Sequence, residues 1–359
     1  MSDEPAADAR RTLQLYFFGP GVGESIVLRL PCGQWGVVDC YAPVGVAAEH
    51  DIIEFLRRRG VERLAFFCWT HPHADHFRGA HRLLEAYRGR IDRLWRYGGF
   101  SGKELHTRIA LAAKVKAKIE QDPEADALAG DFMRLLQEIS KAKVGMSDEN
   151  YRLVLAPASL LESEAYEIRA LRPGSALVEG IQDRVLARNI DPQRGYLLLC
   201  EEEGTVLNSL SVVLSIRFGT ARVVLLGDAE GADEDIHAHA EEFTALKIAH
   251  HGSCNGYGVN VLGTAAKASA KAVAMGVITP YNRSRLPRDE MVTHYKAIAR
   301  TLLVTAPPQA VRLRKIVAGM RNPRLAHDPK ARWHGVEVFD TGEVRRMPES
   351  AFEEVAAQG

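Results

Sequence analysis

The sequence lacks a net charge, because its 46 lysine and arginine residues are matched by 46 aspartate and glutamate residues. A protein that attracts nucleic acid over its whole surface carries an excess of basic residues. Such a global attraction is excluded, so any binding of nucleic acid depends on a local basic patch. Internal repeats and low-complexity segments are also lacking, and the 46% of apolar residues is ordinary for a soluble globular protein.

Cysteine is scarce, and its spacing does not suggest a metal site or a disulfide framework. The chain has five cysteines, an odd number, and no two of them form a C-x-x-C pair. We expect reduced thiols of a cytosolic protein, most of them buried in strands. The five are Cys32, Cys40, Cys68, Cys200 and Cys254.

Long apolar runs are absent as well. No run approaches the roughly 20 residues of a membrane-spanning helix. The N-terminal residues 1–11 are largely polar and lack the apolar core of a secretory signal. The sequence therefore predicts a cytoplasmic protein without a membrane partner.

The chain contains many short apolar runs that alternate with helical patterns. Strands are predicted at 13–18, 26–30, 35–40, 63–69, 166–171, 197–200, 210–218, 222–226, 245–248, 272–278 and 336–339. Helices are predicted from about 52 to a stop at Gly60, at 77–87 and at about 289–302. This order predicts an α/β fold of two stacked sheets between outer helices, a four-layer αββα sandwich.

Residues 101–144 differ in character from the strand-rich segments on either side. They contain two amphipathic helical patterns, separated by the helix breaker Asp122-Pro123. We interpret this block as a helical insertion within a single domain that spans residues 1–359.

The densest chemical signal is the stretch T-H-P-H-A-D-H at 70–76, at the end of a predicted strand and before a helix. His71 and His73 are two positions apart, so in extended chain their side chains point the same way and can bind one metal ion. The turn into the helix lets Asp75 and His76 face a neighbouring position. Imidazoles with a carboxylate are ligands for divalent transition metals. We expect one or two divalent ions, zinc or manganese.

The segment 64–79, L-A-F-F-C-W-T-H-P-H-A-D-H-F-R-G, resembles the first metal motif of the metallo-β-lactamase superfamily. Two later stretches fit the same pattern, R-V-V-L-L-G-D ending at Asp228 and L-K-I-A-H-H-G-S containing His250 and His251. The resemblance implies the metallo-β-lactamase-like αββα fold and an Asp228 that bridges two metal ions.

The H-H-G-S form is similar to the ComEC-type branch, a hydrolase domain found on competence DNA-uptake channels and in stand-alone soluble relatives. The turn G-V-G-E-S at 21–25, the V-V-D ending at Asp39 and the Asn208-Ser209 pair also resemble that branch. The likeness covers nearly the whole chain except the insertion and about 174–195. The chain departs from the pattern at Gly19, where an aspartate is usual, at the second acid, here Glu24, and at Leu286-Pro287, where His-Pro is frequent.

No histidine occurs between His106 and His237. The lactamases, thioesterases and lactonases of the superfamily generally have a further histidine ligand in that interval, and ComEC-type relatives lack it. The metal at His71 and His73 is then short of one protein ligand. Either that position is open to water or substrate, or the site holds only one metal firmly.

The expected metal ligands are His71, His73, Asp75, His76, Asp228 and His250. Asp75 is also expected to orient a metal-bound hydroxide. His251 is expected to polarise the scissile oxygen or to protonate the leaving group, although His250 and His251 could exchange roles. Asp39 could hydrogen-bond a ligand histidine or simply form the turn that ends its strand.

Other supporting roles are expected from Asn208, beside the centre, and from Lys247, Ser253 and Asn282, which would contact the substrate. A turn-forming serine and a solvated lysine explain Ser253 and Lys247 equally well.

The leading hypothesis is a metal-dependent hydrolase of phosphodiesters, with nucleic acid among the candidate substrates. One alternative is an ester, thioester or lactone hydrolase on the same metal centre. The other is a non-catalytic, metal-stabilised binding or regulatory subunit that uses the insertion as its partner surface.

Overall fold

The computed structural model describes residues 12–19, 23–42, 51–98, 110–111, 113–115, 117–118, 120–186, 205–230, 243–256, 273–306, 325–326 and 333–347. Within them, two eight-stranded sheets make up the centre of the fold. The first sheet contains β1 Thr12–Phe18, β2 Ser25–Arg29, β3 Trp35–Val38, β4 Phe66–Trp69, β5 Leu94–Tyr97, β6 Tyr151–Val154, β15 His334–Phe339 and β16 Val344–Met347. The second contains β7 Ala158–Glu162, β8 Tyr166–Arg172, β9 Val213–Phe218, β10 Ala221–Leu225, β11 Ala245–Lys247, β12 Val273–Ile278, β13 Ala299–Val304 and β14 Leu325–Ala326.

Each sheet is antiparallel towards one edge and parallel towards the other. The first runs in the order β16-β15-β1-β2-β3-β4-β5-β6, and its pairs from β3 to β6 are parallel. The second runs β14-β13-β12-β11-β10-β9-β8-β7, and its pairs from β10 to β14 are parallel. Parallel neighbours end at the same edge, so the loops after β3 and β4, and those after β10, β11 and β12, lie side by side.

Helices cover the sheets. They are α1 Asp51–Arg58, α2 Ala74–Phe77, α3 Ala80–Ala86, α4 Pro123–Lys143, α5 Ser175–Leu186, α6 Thr205–Asn208 and α7 Asp289–Ile298. Phe55 of α1 packs on Tyr16 of β1, with ring centroids 4.7 Å apart, and Phe132 of α4 packs on Trp69 of β4 at 6.0 Å. On the second sheet, Met291 and Tyr295 of α7 share an apolar cluster with strand residues.

One continuous core joins the two sheets, because buried residues of both contribute to it, such as Leu28 and Phe67 of the first and Ile168 and Ile216 of the second. Each buried side chain of this size stabilises the fold by about 1.5–3 kcal/mol. The expected α/β architecture of two stacked sheets between helices is confirmed. No helix of the described residues is long and apolar enough to cross a membrane.

Helix α4 forms most of the described part of the expected insertion. Asp122-Pro123, expected only to break a helix, begins this one: the Asp122 carboxylate accepts hydrogen bonds from the backbone N–H groups of Glu124 (2.9 Å) and Ala125 (3.1 Å). The apolar side of α4 lies against α3, and Arg88 pairs with Glu138 at 2.7 Å. The first amphipathic pattern of the insertion falls largely outside the described residues, and the insertion and single-domain assignments stay predictions.

The sequence-based prediction of a helix over 289–302 is wrong at its C-terminal end. Helix α7 ends at Ile298, and Ala299 is extended, with φ −101° and ψ 134°. Thr301 and Val304 then pair with β12 in parallel, so sheet pairing outweighs the helical periodicity. Strands β5, β6 and β7 were not predicted, and the strand predicted at 197–200 lies outside the described residues.

Candidate metal centre

The first half of the centre is the loop that follows β4. Asp39, at the end of the neighbouring strand β3, accepts hydrogen bonds from the backbone N–H of Thr70 (2.8 Å) and from its hydroxyl (2.6 Å). The Nδ1 atom of His76 lies 2.7 Å from Asp39 Oδ2, and a carboxylate can only accept, so Nδ1 carries the proton. Asp39 therefore holds both ends of the T-H-P-H-A-D-H loop and leaves Nε2 of His76 facing the centre.

The turn at His73 separates the four polar side chains of this loop. His73 is extended, with φ −84° and ψ 149°, and α2 starts at the next residue. Asp75 and His76 thus lie on a helical turn, whereas His71 and His73 lie on extended chain. The backbone is fixed from outside, because Glu24 N–H donates to the Asp75 carbonyl (3.0 Å).

The second half comes from the loops after β10 and β11. Gly227 has φ +53°, and Asp228 follows with its backbone N–H donating to the Ser211 hydroxyl at 3.2 Å. Three consecutive left-handed residues follow β11, with φ values of +46° for His250, +53° for His251 and +79° for Gly252. Non-glycine residues in this conformation cost about 1–2 kcal/mol each. The left-handed turn sends the two histidine side chains to different partners.

Four side chains, Asp75, His76, Asp228 and His251, bring one ligand atom each into a common group. His76 Nε2 lies 3.6 Å from Asp75 Oδ2 and 3.2 Å from Asp228 Oδ2. His251 Nε2 lies 3.0 Å from the same Asp75 oxygen and 3.4 Å from the same Asp228 oxygen. Tetrahedral zinc with bonds near 2.0–2.1 Å requires ligand atoms about 3.3 Å apart, so these four residues fit a divalent ion.

His71 and His73 lie beside this group. Both are fully buried, and their Nε2 atoms have no hydrogen-bond partner among the described residues. His71 Nε2 lies 3.8 Å from Asp228 Oδ2, and the centroids of the two imidazole rings are 4.8 Å apart. Buried polar atoms are nearly always satisfied, and a metal ion would supply what these nitrogens lack among the described residues.

The histidines of the centre differ in the direction in which burial and neighbouring charges shift their pKa values. Burial lowers the pKa of His73 to about 4 and, with the neighbouring His76 and His73, holds that of His71 well below its usual value. Burial also opposes protonation of His76 and His251, but the Asp228 and Asp75 carboxylates outweigh it and raise the pKa of both well above the usual value. Without metal at neutral pH, His71 and His73 are therefore neutral, whereas His76 and His251 hold protons that compensate the two carboxylates.

His250 turns away from the four-residue group. Its Nδ1 lies 2.9 Å from Glu230 Oε1, and its Nε2 lies 3.5 Å from the amide nitrogen of Asn208. Asn208 also donates to Glu230 Oε1 at 2.9 Å, and Arg172 donates to the Glu230 carbonyl at 2.8 Å. The side chain of His250 is 11% exposed, whereas that of His251 is fully buried. His250 thus reaches the edge of the centre, and Asn208 lies beside it.

The three residues that were expected to contact the substrate differ in burial and in hydrogen bonding. Lys247 is fully buried and forms an ion pair with Glu24, a position that does not support contact with a substrate. The Ser253 hydroxyl accepts from the backbone N–H of Asn255 at 3.3 Å, as a turn-forming serine does. Asn282 begins the 3₁₀ turn Asn282–Ser284 and is half-buried.

Several neighbours of the centre were not predicted from the sequence. They are Glu24, Thr279, Glu230 and Tyr281. The Tyr281 ring stacks on His251, with centroids 5.3 Å apart and planes at 27°. Thr279 directly follows the end of β12, a placement that could have marked it, whereas Glu230 lies further along the loop that follows β10 and carries Asp228.

The insertion helix α4 reaches the rim of the centre. Glu124, in its first turn, pairs with Arg283 in the loop that follows Tyr281, and lies 3.9 Å from Arg78 Nη1. Asp131, two turns further along α4, lies 3.5 Å from Arg78 Nε. Arg78 directly follows α2, so α4 is tied to loops from both halves of the centre.

No protein-family model matches the sequence, and no curated protein gives a significant match. Solved structures similar to the chain include the metallo-β-lactamase fold protein YhfI from Bacillus subtilis, at 10% identity and a TM-score of 0.43, over 82% of this chain and 95% of that one. A diphosphatase from the PhnP family is 12% identical, with a TM-score of 0.41, over 89% of this chain and 96% of that one. The short form of human tRNase Z is 14% identical, with a TM-score of 0.38, over 81% and 91%. Likeness of this degree does not establish a shared activity, and the ComEC-type assignment stays a prediction.

Proposed function

We propose that this protein is a metal-dependent phosphodiesterase whose centre binds two divalent ions of the zinc or manganese class. The observation that carries the proposal is the convergence of buried imidazoles and carboxylates whose ligand atoms are spaced for a metal ion or lack another partner among the described residues. One ion is assigned to Asp75, His76, Asp228 and His251, and the other to His71, His73 and Asp228.

The assignment of His251 rather than His250 as ligand exchanges the roles first expected for the two residues. The support is geometric, because His251 Nε2 lies 3.0 Å from Asp75 Oδ2, whereas His250 Nδ1 lies 2.9 Å from Glu230. Glu230 lies beside Nδ1 of His250, and we assign His250, at the edge of the centre, to give a proton to the leaving oxygen.

When bound, the metal ions activate water and neutralise charge on a phosphate group. The residues of the chain provide the rest. Asp75 accepts a hydrogen bond from the attacking water and orients it towards the substrate. Asp39 and Thr279 hold the protons on Nδ1 of His76 and His251, which keeps both Nε2 atoms directed to the centre.

Charge in the loaded centre is close to balanced. The carboxylates in and beside the centre belong to Glu24, Asp39, Asp75, Asp228 and Glu230, and Lys247 is a buried counter-charge. Two divalent ions would cancel the remaining negative charge when the histidine ligands are neutral, so a phosphodiester would be attracted by direct contact of its oxygens with the ions and not by a net positive charge.

The test is a metal analysis of the purified protein, followed by parallel assays on a chromogenic phosphodiester, single-stranded DNA and a thioester. We expect bound transition metal and phosphodiester hydrolysis that is lost in His73→Ala and Asp228→Asn. Turnover of the thioester alone would replace the phosphodiesterase by the ester-hydrolase alternative. Metal without turnover of any of the three would favour the non-catalytic subunit.

A further inference from the structure

A buried ion pair lies beside the proposed metal centre and contacts the loops that form it. Lys247 and Glu24 are each 1% exposed, and the Lys247 ammonium contacts Glu24 Oε2. A lysine is almost never fully buried unless it is paired, and burying both charges costs several kcal/mol before their attraction is counted. A pair of this kind is weak evidence for stability alone, so its position in the fold needs another explanation.

The pair touches both halves of the centre through the backbone. Glu24 N–H donates to the carbonyl of Asp75 at 3.0 Å, and the Lys247 ammonium lies 3.4 Å from the carbonyl of Gly227, the residue before Asp228. Glu24 precedes β2 in the first sheet, and Lys247 ends β11 in the second. The ion pair therefore joins the two loops that carry the proposed ligands Asp75 and Asp228.

Glu24 also lies beside the ring of His251. Glu24 Oε2 accepts a hydrogen bond from the Thr279 hydroxyl and is 3.7 Å from His251 Nδ1. That Nδ1 lies 2.7 Å from the Thr279 carbonyl, which can only accept, so the Nδ1 proton is directed to Thr279. The carboxylate is thus a close competitor for the same proton.

We propose that Glu24 and Lys247 are positioning residues for this metal centre, with Lys247 neutralising Glu24 so that His251 keeps its hydrogen bond to Thr279. This inference rests on the proposed assignment of His251 as a metal ligand. Without the ammonium, the Glu24 carboxylate draws Nδ1–H away from the Thr279 carbonyl. The ring then turns, and Nε2 leaves Asp75 and Asp228. Lys247 is consequently needed only because Glu24 is charged.

The test is a double-mutant cycle on the full chain, with affinity for cobalt(II) measured by chelator competition and coordination followed by its visible absorption spectrum. We expect Lys247→Met to lower the affinity by about 10–100-fold, the range for residues that support a metal ligand, and to change the spectrum. Glu24→Gln keeps acceptor and donor atoms at the same place, so its affinity should fall by less than about threefold. The double variant Glu24→Gln/Lys247→Met should regain most of the affinity lost in Lys247→Met.

Lys141→Met is the matched control, because Lys141 pairs with Glu138 on α4, away from the centre. If the pair were merely structural, Lys247→Met would lower the unfolding temperature and the double variant would restore it. The cobalt(II) affinity and the spectrum per folded molecule would then stay constant in all variants, and that result would overturn the inference. If Lys247→Met does not fold, a double variant that folds yet binds cobalt(II) at least 10-fold more weakly than Glu24→Gln overturns it too. Failure of the wild type to bind cobalt(II) would instead refute the proposed function and, with it, this inference.

Discussion

The Asp39 carboxylate and the His76 imidazole form a hydrogen bond of 2.7 Å between Oδ2 and Nδ1, and Asp39 is 1% exposed. The bond keeps the proton on Nδ1 of His76, so that Nε2 is the nitrogen that would lose its proton to a metal ion. The same carboxylate holds Thr70, so one buried group sets both the tautomer of a proposed ligand and the start of its loop.

The substitution Asp39→Asn should lower zinc affinity about 10–100-fold. The Asp39 carboxylate accepts hydrogen bonds at both oxygens, whereas the amide of asparagine has only one oxygen that can accept. Chelator competition measures the affinity. Asp92→Asn is the control, since Asp92 pairs with Arg63 at the surface. Equal zinc affinity of Asp39→Asn and wild type would show that His76 does not depend on Asp39.

The two adjacent histidines should separate binding from turnover. His251→Gln removes a proposed ligand, so it should weaken zinc binding more than the roughly 10–100-fold typical of residues that only support one. His250→Gln should keep zinc affinity within about threefold and lose most of the phosphodiester turnover, as expected for a proton donor. Zinc content and turnover of both variants, measured side by side, provide the check. The opposite pattern would restore His250 as the ligand.

Metal binding should release protons near neutral pH. The pKa values of His76 and His251 are raised well above the usual value, so both are protonated in the metal-free protein, and a metal ion displaces those protons. His71 and His73 are already neutral, because burial lowers their pKa values, that of His73 to about 4. Binding of the first zinc ion at pH 7 should therefore release about two protons, and affinity should rise with pH until His76 and His251 deprotonate.

Calorimetry in buffers of different ionisation enthalpy counts these protons. His251→Gln should lower the number by about one, whereas His73→Gln should leave it unchanged. A proton count that is insensitive to the His251 substitution would refute the protonated state assigned to His251.

A side chain at Gly252, in the left-handed turn after β11, should lower the free energy of unfolding. The φ of Gly252 is +79°, and an added Cβ would lie 2.6 Å from Pro287 Cβ. Gly60→Ala is the matched control, since Gly60 has φ +64° and no atom within 4 Å of such a Cβ. Both variants bear left-handed strain of about 1–2 kcal/mol, and Gly252→Ala should lose a further 1–3 kcal/mol or so by overpacking. Urea denaturation measures both losses, and similar losses would contradict the crowding at Pro287.

Much of this centre follows from local sequence patterns. The histidine cluster at 70–76 and Asp228 lie where apolar strands end, and parallel strands that end at one edge bring such residues together. The αββα layering follows from the alternation of apolar runs and amphipathic helices.

Other features depend on contacts that no local pattern contains. The choice between His250 and His251 as ligand depends on a left-handed backbone conformation, which residues other than glycine seldom adopt. The burial of Lys247 depends on Glu24, a partner from the other sheet. Helix α7 ends early because β12 offers hydrogen bonds to the residues that follow it.

The parallel edges of the two sheets have a consequence for biosynthesis. Asp75 and His251, which lie 3.0 Å apart in the fold, are separated by 176 residues of chain, and Glu24 and Thr279 by 255. A nascent polypeptide emerges from the ribosome with its histidine cluster long before the later loops exist, and contacts of such sequence separation form slowly. Acquisition of the proposed metal ions would therefore be a late step of maturation, and a tightly bound ion would mark a molecule whose two sheets have already joined.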